Sequence, residues 1–316
     1  MNFDEKVILA EVSCPLCGSY NRETVLSARD YLCGVPGLFS IQKCEDCDMC
    51  YLSPAPRPED LYKIYPEIYH KGFINQKPVW IKGRLDFIRT INPGGRLLEV
   101  GCSAGHFLDK ARDAGYDVFG VELDTAAGEY AKSHYGLKTE IGSIMDISLP
   151  ESFFNLIVLF DVFEHLTGPV TCLKKLFSAL APGGHIVIRV PNFYSYETRI
   201  FKENWYPLDL PRHLLHFSPD TLSRILSDAG FSLLKIIYEV EPEILVLSVI
   251  RYIYNVLDIK TGTLLANKTG DSSHVTGHLR LKKFITKSLA IPFFIPAKTL
   301  SLLKSSNTIT AVGRKI

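Results

Sequence analysis

The chain has 316 residues, 47% of them apolar, and 35 basic and 34 acidic side chains leave a formal net charge of +1. This length accommodates one large domain with an appendage or two domains, and the balanced charge gives no global field that would favour nucleic acid. The first ten residues carry Asp4, Glu5 and Lys6 and no long apolar run, so we expect no signal peptide and a cytoplasmic location.

Two C-x-x-C pairs lie close to the N-terminus. Cys14 and Cys17 form the first pair, and Cys44 and Cys47 form the second. Two such pairs can present four thiolates to one tetrahedral Zn2+, and four protein ligands would close the site. The pattern therefore predicts a structural zinc site in a small zinc-ribbon-like module over residues 1–58.

Two further cysteines leave the ligand set open. Cys33 lies between the two pairs, and Cys50 stands three residues after Cys47, so either could replace one of the four ligands. Unliganded buried thiols or redox-active thiols are the alternative. Eight cysteines without an export signal fit a reducing compartment and metal binding better than disulfides.

Strands and helices are predicted to alternate along most of the remaining chain. Residues 59–94 are predicted to form connecting helices, and the predicted core strands cover 96–101, 117–123, 154–160, 185–191, 231–240 and 308–312. The predicted core helices cover 105–114, 125–135 and 169–180, and another begins at Pro219 and ends at Gly230. Near-continuous apolar strands that alternate with helices indicate a Rossmann-like, doubly wound α/β sheet over residues 95–240, with its last strand in residues 307–316.

Residues 241–306 interrupt this alternation with two strongly apolar runs, residues 243–258 and 284–303. The first run is too short to span a bilayer and contains Arg251, and the second contains two lysines and two prolines. We therefore expect a helical apolar insertion that packs on the core or forms a dimer face. An interfacial helix that makes peripheral contact with the inner face of a membrane through residues 243–303 is the alternative.

The turn after the first core strand is the most informative motif. An apolar run ends in Glu99, and Gly101, Ser103 and Gly105 follow at alternate positions, a spacing that differs from the dinucleotide fingerprint G-x-G-x-x-G. The turn resembles motif I of class I S-adenosylmethionine-dependent methyltransferases, [D/E]-x-G-x-G-x-G, with Ser103 in the place of the middle glycine. A Rossmann-like domain for another nucleotide is the alternative.

The resemblance continues along the core and implies a seven-stranded sheet with S-adenosylmethionine as cofactor. Glu122 and Leu123 end the second strand, and the resemblance implies that Glu122 accepts hydrogen bonds from both ribose hydroxyls. Ser143 stands where the family often has an acid that meets the adenine amino group, and Asp161 belongs to a block common in the superfamily. The cofactor-binding residues that we expect are Glu99, Gly101, Ser103, Gly105, Glu122, Leu123, Ser143 and Asp161.

Methyl transfer requires alignment and, for an oxygen or carbon nucleophile, a base. Histidine exchanges protons near neutral pH, so we rank His213 first as base or substrate ligand, His165 second and His216 third. Glu164, adjacent to His165, is a further candidate. For each histidine, a structural role such as a loop hydrogen bond is the alternative.

A zinc module before such a core resembles bacterial sugar-nucleotide C-methyltransferases and relatives that are common in polysaccharide biosynthesis. The resemblance implies C- or O-methylation of a sugar, sugar nucleotide or glycan. An O-methyltransferase of a small molecule or lipid is the alternative. An RNA methyltransferase is less favoured, because Glu45, Asp46 and Asp48 would place negative charge beside the second cysteine pair. A non-catalytic zinc scaffold is disfavoured by the intact cofactor motif.

Overall fold

The computed structural model describes residues 7–65, 80–256 and 305–316. The strands in these ranges are β1 (Leu9–Ala10), β2 (Arg22–Ala28), β3 (Phe39–Cys44), β4 (Cys50–Leu52), β5 (Ala55–Pro56), β6 (Gly95–Val100), β7 (Tyr116–Glu122), β8 (Lys138–Ile141), β9 (Phe154–Phe160), β10 (Leu180–Pro191), β11 (Leu215–His216), β12 (Ser232–Glu239) and β13 (Thr308–Arg314). The α-helices are α1 (Ile81–Ile91), α2 (His106–Asp113), α3 (Thr125–Tyr135), α4 (Pro169–Ala179), α5 (Tyr196–Phe201), α6 (Pro219–Asp228) and α7 (Pro242–Val256).

The described residues divide into two compact units, each built from separate stretches of the chain. The first contains residues 7–65, 191–219, 237–256 and 305–309. The second contains residues 80–190, 220–236 and 310–316.

The second unit is built around a seven-stranded sheet with the strand order β12-β13-β10-β9-β6-β7-β8. Strands β6 to β10 pair in parallel, and residues 156–159 of the central strand β9 are completely buried. The predicted Rossmann-like, doubly wound α/β fold with seven strands is confirmed. Strand β8 was not among the predicted strands, because only Thr139 of its four residues is buried and its apolar pattern is weak.

The first unit contains an antiparallel four-stranded sheet with the order β11-β4-β3-β2. The hairpin of β3 and β4 carries the second cysteine pair, and its residues Phe39, Ile41, Met49 and Leu52 are buried. Strand β11 reaches this sheet from a distant part of the chain, so the sheet includes residues far beyond residue 58.

Helix α7 forms the beginning of the predicted insertion, and residues 257–304 of that insertion, with the second apolar run, lie outside the described residues. Arg251 is buried on α7, where its Nη1 donates to the carbonyl of Trp205 at 3.3 Å and its guanidinium lies 4.3 Å from the centre of the Tyr31 ring. Within the described ranges, every helix is too short or too polar to cross a bilayer.

Candidate functional site

The turn between β6 and α2 adopts left-handed backbone at three positions, with φ of 74° at Gly101, 49° at Ser103 and 78° at Gly105. A Cβ on Gly101 would lie 2.4 Å from Cγ2 of Val162, and one on Gly105 would lie 2.5 Å from Cδ1 of Leu137. Glycine is required at these two positions by both backbone conformation and space. Ser103, between these glycines, adopts left-handed backbone with a small side chain.

Glu122 holds this turn at the carboxyl end of the sheet. Its Oε2 accepts a hydrogen bond from the backbone N–H of Ser103 at 2.7 Å, and its Oε1 accepts one from the backbone N–H of Asp124 at 2.8 Å. The carboxylate is therefore oriented by main-chain donors from two loops. The next residue, Leu123, is 69% exposed, which is unusual for a large apolar residue at the end of a buried strand.

Ser143 lies in the turn that follows β8. Its hydroxyl accepts from the backbone N–H of Met145 at 3.2 Å, and its carbonyl accepts from that of Asp146 at 2.9 Å. The structure therefore gives Ser143 a turn-forming role in the place of the acid that the family often has.

Glu99 is a carboxyl group buried at the end of β6. Only 4% of the residue is exposed, and its Oε2 has no hydrogen-bond partner within the described parts of the chain. Burial raises the pKa of Glu99 to about 8; the positive charge of Arg84 opposes this rise, and the negative charge of Glu122 adds to it. A buried acid with an unused acceptor, close to a strand end, is typical of a ligand-binding position.

Asp161 follows β9 with a left-handed φ of 59° and binds two arginines. Its Oδ2 accepts from Nη2 of Arg84 at 2.6 Å, and its Oδ1 pairs with Nη1 of Arg189. The Arg84 guanidinium also stacks on two aromatic rings, at 3.8 Å from the centre of Trp80 and 4.6 Å from that of Phe160. Sequence reasoning missed both arginines. Arg189 gave a signal, because a charged residue inside an otherwise apolar strand needs a buried partner.

Glu164 and His165 lie on the 3-10 turn Phe163–His165, which also follows β9. Glu164 is buried and His165 is half-buried, and the backbone N–H of His165 donates to the carbonyl of Val162 at 3.0 Å. The second unit thus gathers Glu99, Glu122, Asp161 and these two residues at the carboxyl ends of β6, β7 and β9.

His213 and His216 belong to the first unit and have different surroundings. Nδ1 of His213 lies 2.8 Å from the carbonyl oxygen of Pro207, which can only accept, so the neutral ring carries its proton on Nδ1 and its basic nitrogen is Nε2. Burial lowers the pKa of His216 to about 3, and the neighbouring His213 contributes. His216 is therefore a weak base at neutral pH, whereas the Pro207 contact of His213 leaves Nε2 as the basic nitrogen of that ring.

The four predicted zinc ligands lie together in the first unit. The Sγ–Sγ distance is 3.4 Å between Cys14 and Cys47 and 3.5 Å between Cys17 and Cys44, and all four sulfurs lie within 4.8 Å of one another. In a tetrahedral Zn2+ site with Zn–S bonds of about 2.3 Å, sulfurs lie about 3.8 Å apart. The cluster therefore has the donor set and the dimensions of a four-cysteine zinc site.

The other two N-terminal cysteines stand outside this cluster. Sγ of Cys50 lies 3.9 Å from the hydroxyl of Tyr194, and Cys33 lies in the loop whose backbone is held by Asp30. Among the described residues, the compact sulfur group therefore contains neither Cys33 nor Cys50.

Comparison with known proteins identifies the class to which this fold and turn belong. A family model described as a methyltransferase domain matches residues 74–236, which is more than half of the chain. The chain therefore belongs to the methyltransferase domain family, whose cofactor is S-adenosylmethionine.

Individual relatives are distant. A probable S-adenosylmethionine-dependent methyltransferase of Mycolicibacterium smegmatis is 27% identical over 139 residues, which cover 44% of this chain and 52% of the relative. The ubiquinone biosynthesis O-methyltransferase of Ralstonia nicotianae is 29% identical over 112 residues, which cover 33% of this chain and 47% of the relative. The chain thus spans about half the length of the curated relatives that it matches.

Solved structures with a similar fold include a methyltransferase from a nematode. The phosphoethanolamine N-methyltransferase 2 of Haemonchus contortus, in complex with S-adenosyl-L-methionine, aligns with a TM-score of 0.53 and 17% identity. The alignment covers 84% of this chain and 62% of that chain, and at this identity the likeness concerns the fold alone.

Proposed function

We propose that this protein is an S-adenosylmethionine-dependent methyltransferase that acts on a sugar, sugar nucleotide or glycan, at carbon or oxygen. The observation that carries the proposal is the arrangement around Glu122. Its carboxylate accepts a hydrogen bond from the backbone N–H of Ser103, in the family's characteristic turn. A carboxylate is the acceptor best suited to two vicinal ribose hydroxyls.

Three further features of the second unit fit this cofactor. The turn from Gly101 to Gly105 offers bare backbone, and the exposed side chain of Leu123 offers an apolar surface for a flat base. The unpaired oxygen of Glu99 would accept from the ammonium group of the methionine part. When bound, S-adenosylmethionine supplies an electrophilic methyl group on a sulfonium.

For an oxygen or carbon nucleophile, the chain itself must hold the departing proton, and we propose His213 for that role. Its Nδ1–H is held by the Pro207 carbonyl, which leaves Nε2 as the nitrogen that takes up a proton. Asp209 supports the charged ring, because its Oδ2 lies 3.9 Å from Nε2. His165 and Glu164 are the next candidates, and the low pKa of His216 makes this residue a weak base at neutral pH.

The glycan-type acceptor is supported by the combination of two C-x-x-C pairs with this core. That combination resembles methyltransferases of polysaccharide biosynthesis. O-methylation of a small molecule is the second candidate, because the name of one relative is ubiquinone biosynthesis O-methyltransferase.

We further propose that Cys14, Cys17, Cys44 and Cys47 hold one structural Zn2+. Four thiolates of suitable spacing fill a tetrahedral shell and leave no position for substrate. Peripheral membrane contact through residues 243–303 also stays a proposal. It is supported by the exposed side chains of Tyr252, Ile253 and Val256 on α7, and flotation with liposomes before and after deletion of residues 243–303 tests it.

A methyl-incorporation screen tests the proposed function. Zinc-loaded protein is incubated with methyl-labelled cofactor and four acceptor classes: nucleotide sugars, polysaccharide, phenolic small molecules and RNA, with Glu122→Ala as the matched control. We expect label in a sugar-containing class and none with Glu122→Ala. Label confined to phenols would establish the second candidate, and label confined to RNA would contradict both.

A further inference from the structure

We infer that the four-cysteine site positions the segment that carries His213, so that zinc controls this segment and leaves binding of the methyl donor unaffected. The inference rests on the proposed function for the role of His213. Its structural basis lies within the first unit. There, two separate connections, called ties below, join residues 209–216 to the N-terminal module of residues 1–58, called the cysteine module below.

The second cysteine pair lies at the turn of the β3–β4 hairpin, with Cys44 at the end of β3 and Cys47 between the two strands. Cys44 ends β3, its N–H donates to the carbonyl of Met49 at 2.9 Å, and its own carbonyl accepts from the N–H of Asp48 at 2.9 Å. Strand β4 has only three residues, so the geometry of this turn sets the register in which β4 presents its backbone. A metal bound by the two cysteines of the turn therefore fixes β4.

The first tie is the pairing of β4 with β11. Leu215 pairs with Tyr51 and His216 pairs with Cys50, and the N–H of Leu52 donates to the carbonyl of Leu214 at 2.9 Å. Strand β11 is at the edge of its sheet, and β4 is its neighbour there. The residue directly after His213 is thus held by a strand whose register depends on the cysteine turn.

The second tie is Arg212, the residue directly before His213. Its side chain is fully buried, and its Nη1 and Nη2 donate to the two carboxylate oxygens of Asp30 at 2.9 and 2.7 Å. Asp30 belongs to the loop between β2 and β3, and its carboxylate also accepts from three backbone N–H groups of that loop. Nε and Nη2 of Arg212 donate in addition to Asp209 at 2.9 and 2.6 Å. A buried bidentate pair of this kind holds one geometry.

His213 is therefore fixed on both sides by the cysteine module. Strand β2 and Asn21 already connect the chain after the first cysteine pair to the hairpin, and a metal bound by all four cysteines would add a direct link between the two pairs. Strands as short as β4 and β11 have few ladder bonds of their own, so a further link at the cysteine turn would stabilise both. Both ties join residues of the first unit, whereas Glu99, Glu122 and the glycine turn belong to the second.

Hydrogen exchange on the full chain, in zinc-loaded, chelator-stripped and zinc-restored forms, tests the inference. Stripping should speed exchange of residues 209–217 by about tenfold or more and leave residues 97–105 unchanged, and zinc should restore the slow rate. The dissociation constant for S-adenosylmethionine should stay within about twofold. The fluorescence of buried Trp205 provides an independent measurement. The chain has two tryptophans, so Trp80 is replaced in a Trp80→Phe background. The emission of Trp205 should shift to the red when zinc is removed.

Variants of Cys17 separate metal from fold, because Cys17 is the exposed member of the cluster and its loss removes little packing. Cys17→Ala should reproduce the stripped state, and Cys17→His, which can still bind zinc, should restore slow exchange at residues 209–217.

Two results would overturn the inference: unchanged exchange at residues 209–217 after zinc removal, or an equal rise at residues 97–105. Failure of zinc-loaded protein to bind S-adenosylmethionine would instead contradict the proposed function, while the exchange rates would still decide the inference.

Discussion

Replacing Glu99 with glutamine should remove a large part of the pH dependence of folding stability. In the folded chain, burial raises the pKa of this carboxyl from an ordinary 4.5 to about 8. Between these values the folded state keeps a proton that the unfolded state releases, so the free energy of unfolding falls as the pH rises from 4.5 to about 8. Glutamine preserves the shape of the side chain and does not titrate.

The magnitude follows from the two pKa values. Their difference corresponds to about 5 kcal/mol once Glu99 is ionised in both states. Between about pH 5 and about pH 9, the wild-type chain should lose about 4 kcal/mol relative to Glu99→Gln. Only 4% of Glu99 is exposed, so solvent screening reduces this effect little.

Chemical denaturation of both proteins at the two pH values measures this difference. Glu151→Gln is the matched control, because Glu151 is exposed and its loss should leave the wild-type pH dependence in place. Parallel pH dependences of wild type and Glu99→Gln would refute the assignment of Glu99 as a buried, mainly protonated acid.

Three further changes have defined outcomes. Gly101→Ala should lower the free energy of unfolding by about 2 kcal/mol or more in denaturant titrations, and Val162→Ala in the same chain should recover only the steric part, because the backbone strain remains. In His213→Gln, the new side chain can still donate to the Pro207 carbonyl but takes up no proton. Initial-rate assays should therefore show methyl transfer slowed by about 100-fold or more, with unchanged affinity for the methyl donor. Normal methyl transfer would exclude His213 as the base. Cys33→Ala should retain about one zinc per chain by metal analysis, and loss of the metal would assign Cys33 to the ligand set.

The motif-bearing turns could be predicted from the sequence because their causes are local. Gly101 and Gly105 stand where the backbone takes a positive φ, and the cysteine pairs have a spacing that already places two sulfurs on one turn. The parallel strands β6, β7, β9 and β10 could be predicted for a similar reason, since strands buried on both faces have continuous apolar sequences.

Long-range pairing left no comparable signal. Strand β11 has two residues and pairs with β4 across more than half of the chain, and the partner of Arg84, Asp161, lies 77 positions away. Neither contact follows from periodicity, because short strands and single ion pairs carry no repeating pattern. The same limit applies to the histidines: their sequence positions are alike, whereas burial gives His216 a pKa of about 3 and the Pro207 carbonyl fixes the tautomer of His213.

The most direct test of the central claim is calorimetric titration of the wild-type protein and Glu122→Ala with S-adenosylmethionine. The account predicts one site per chain for the wild type and an affinity weaker by about 100-fold or more for Glu122→Ala, since two charge-assisted hydrogen bonds to the ribose are lost. Absence of binding to the wild type, or equal affinity of the two proteins, would contradict the account.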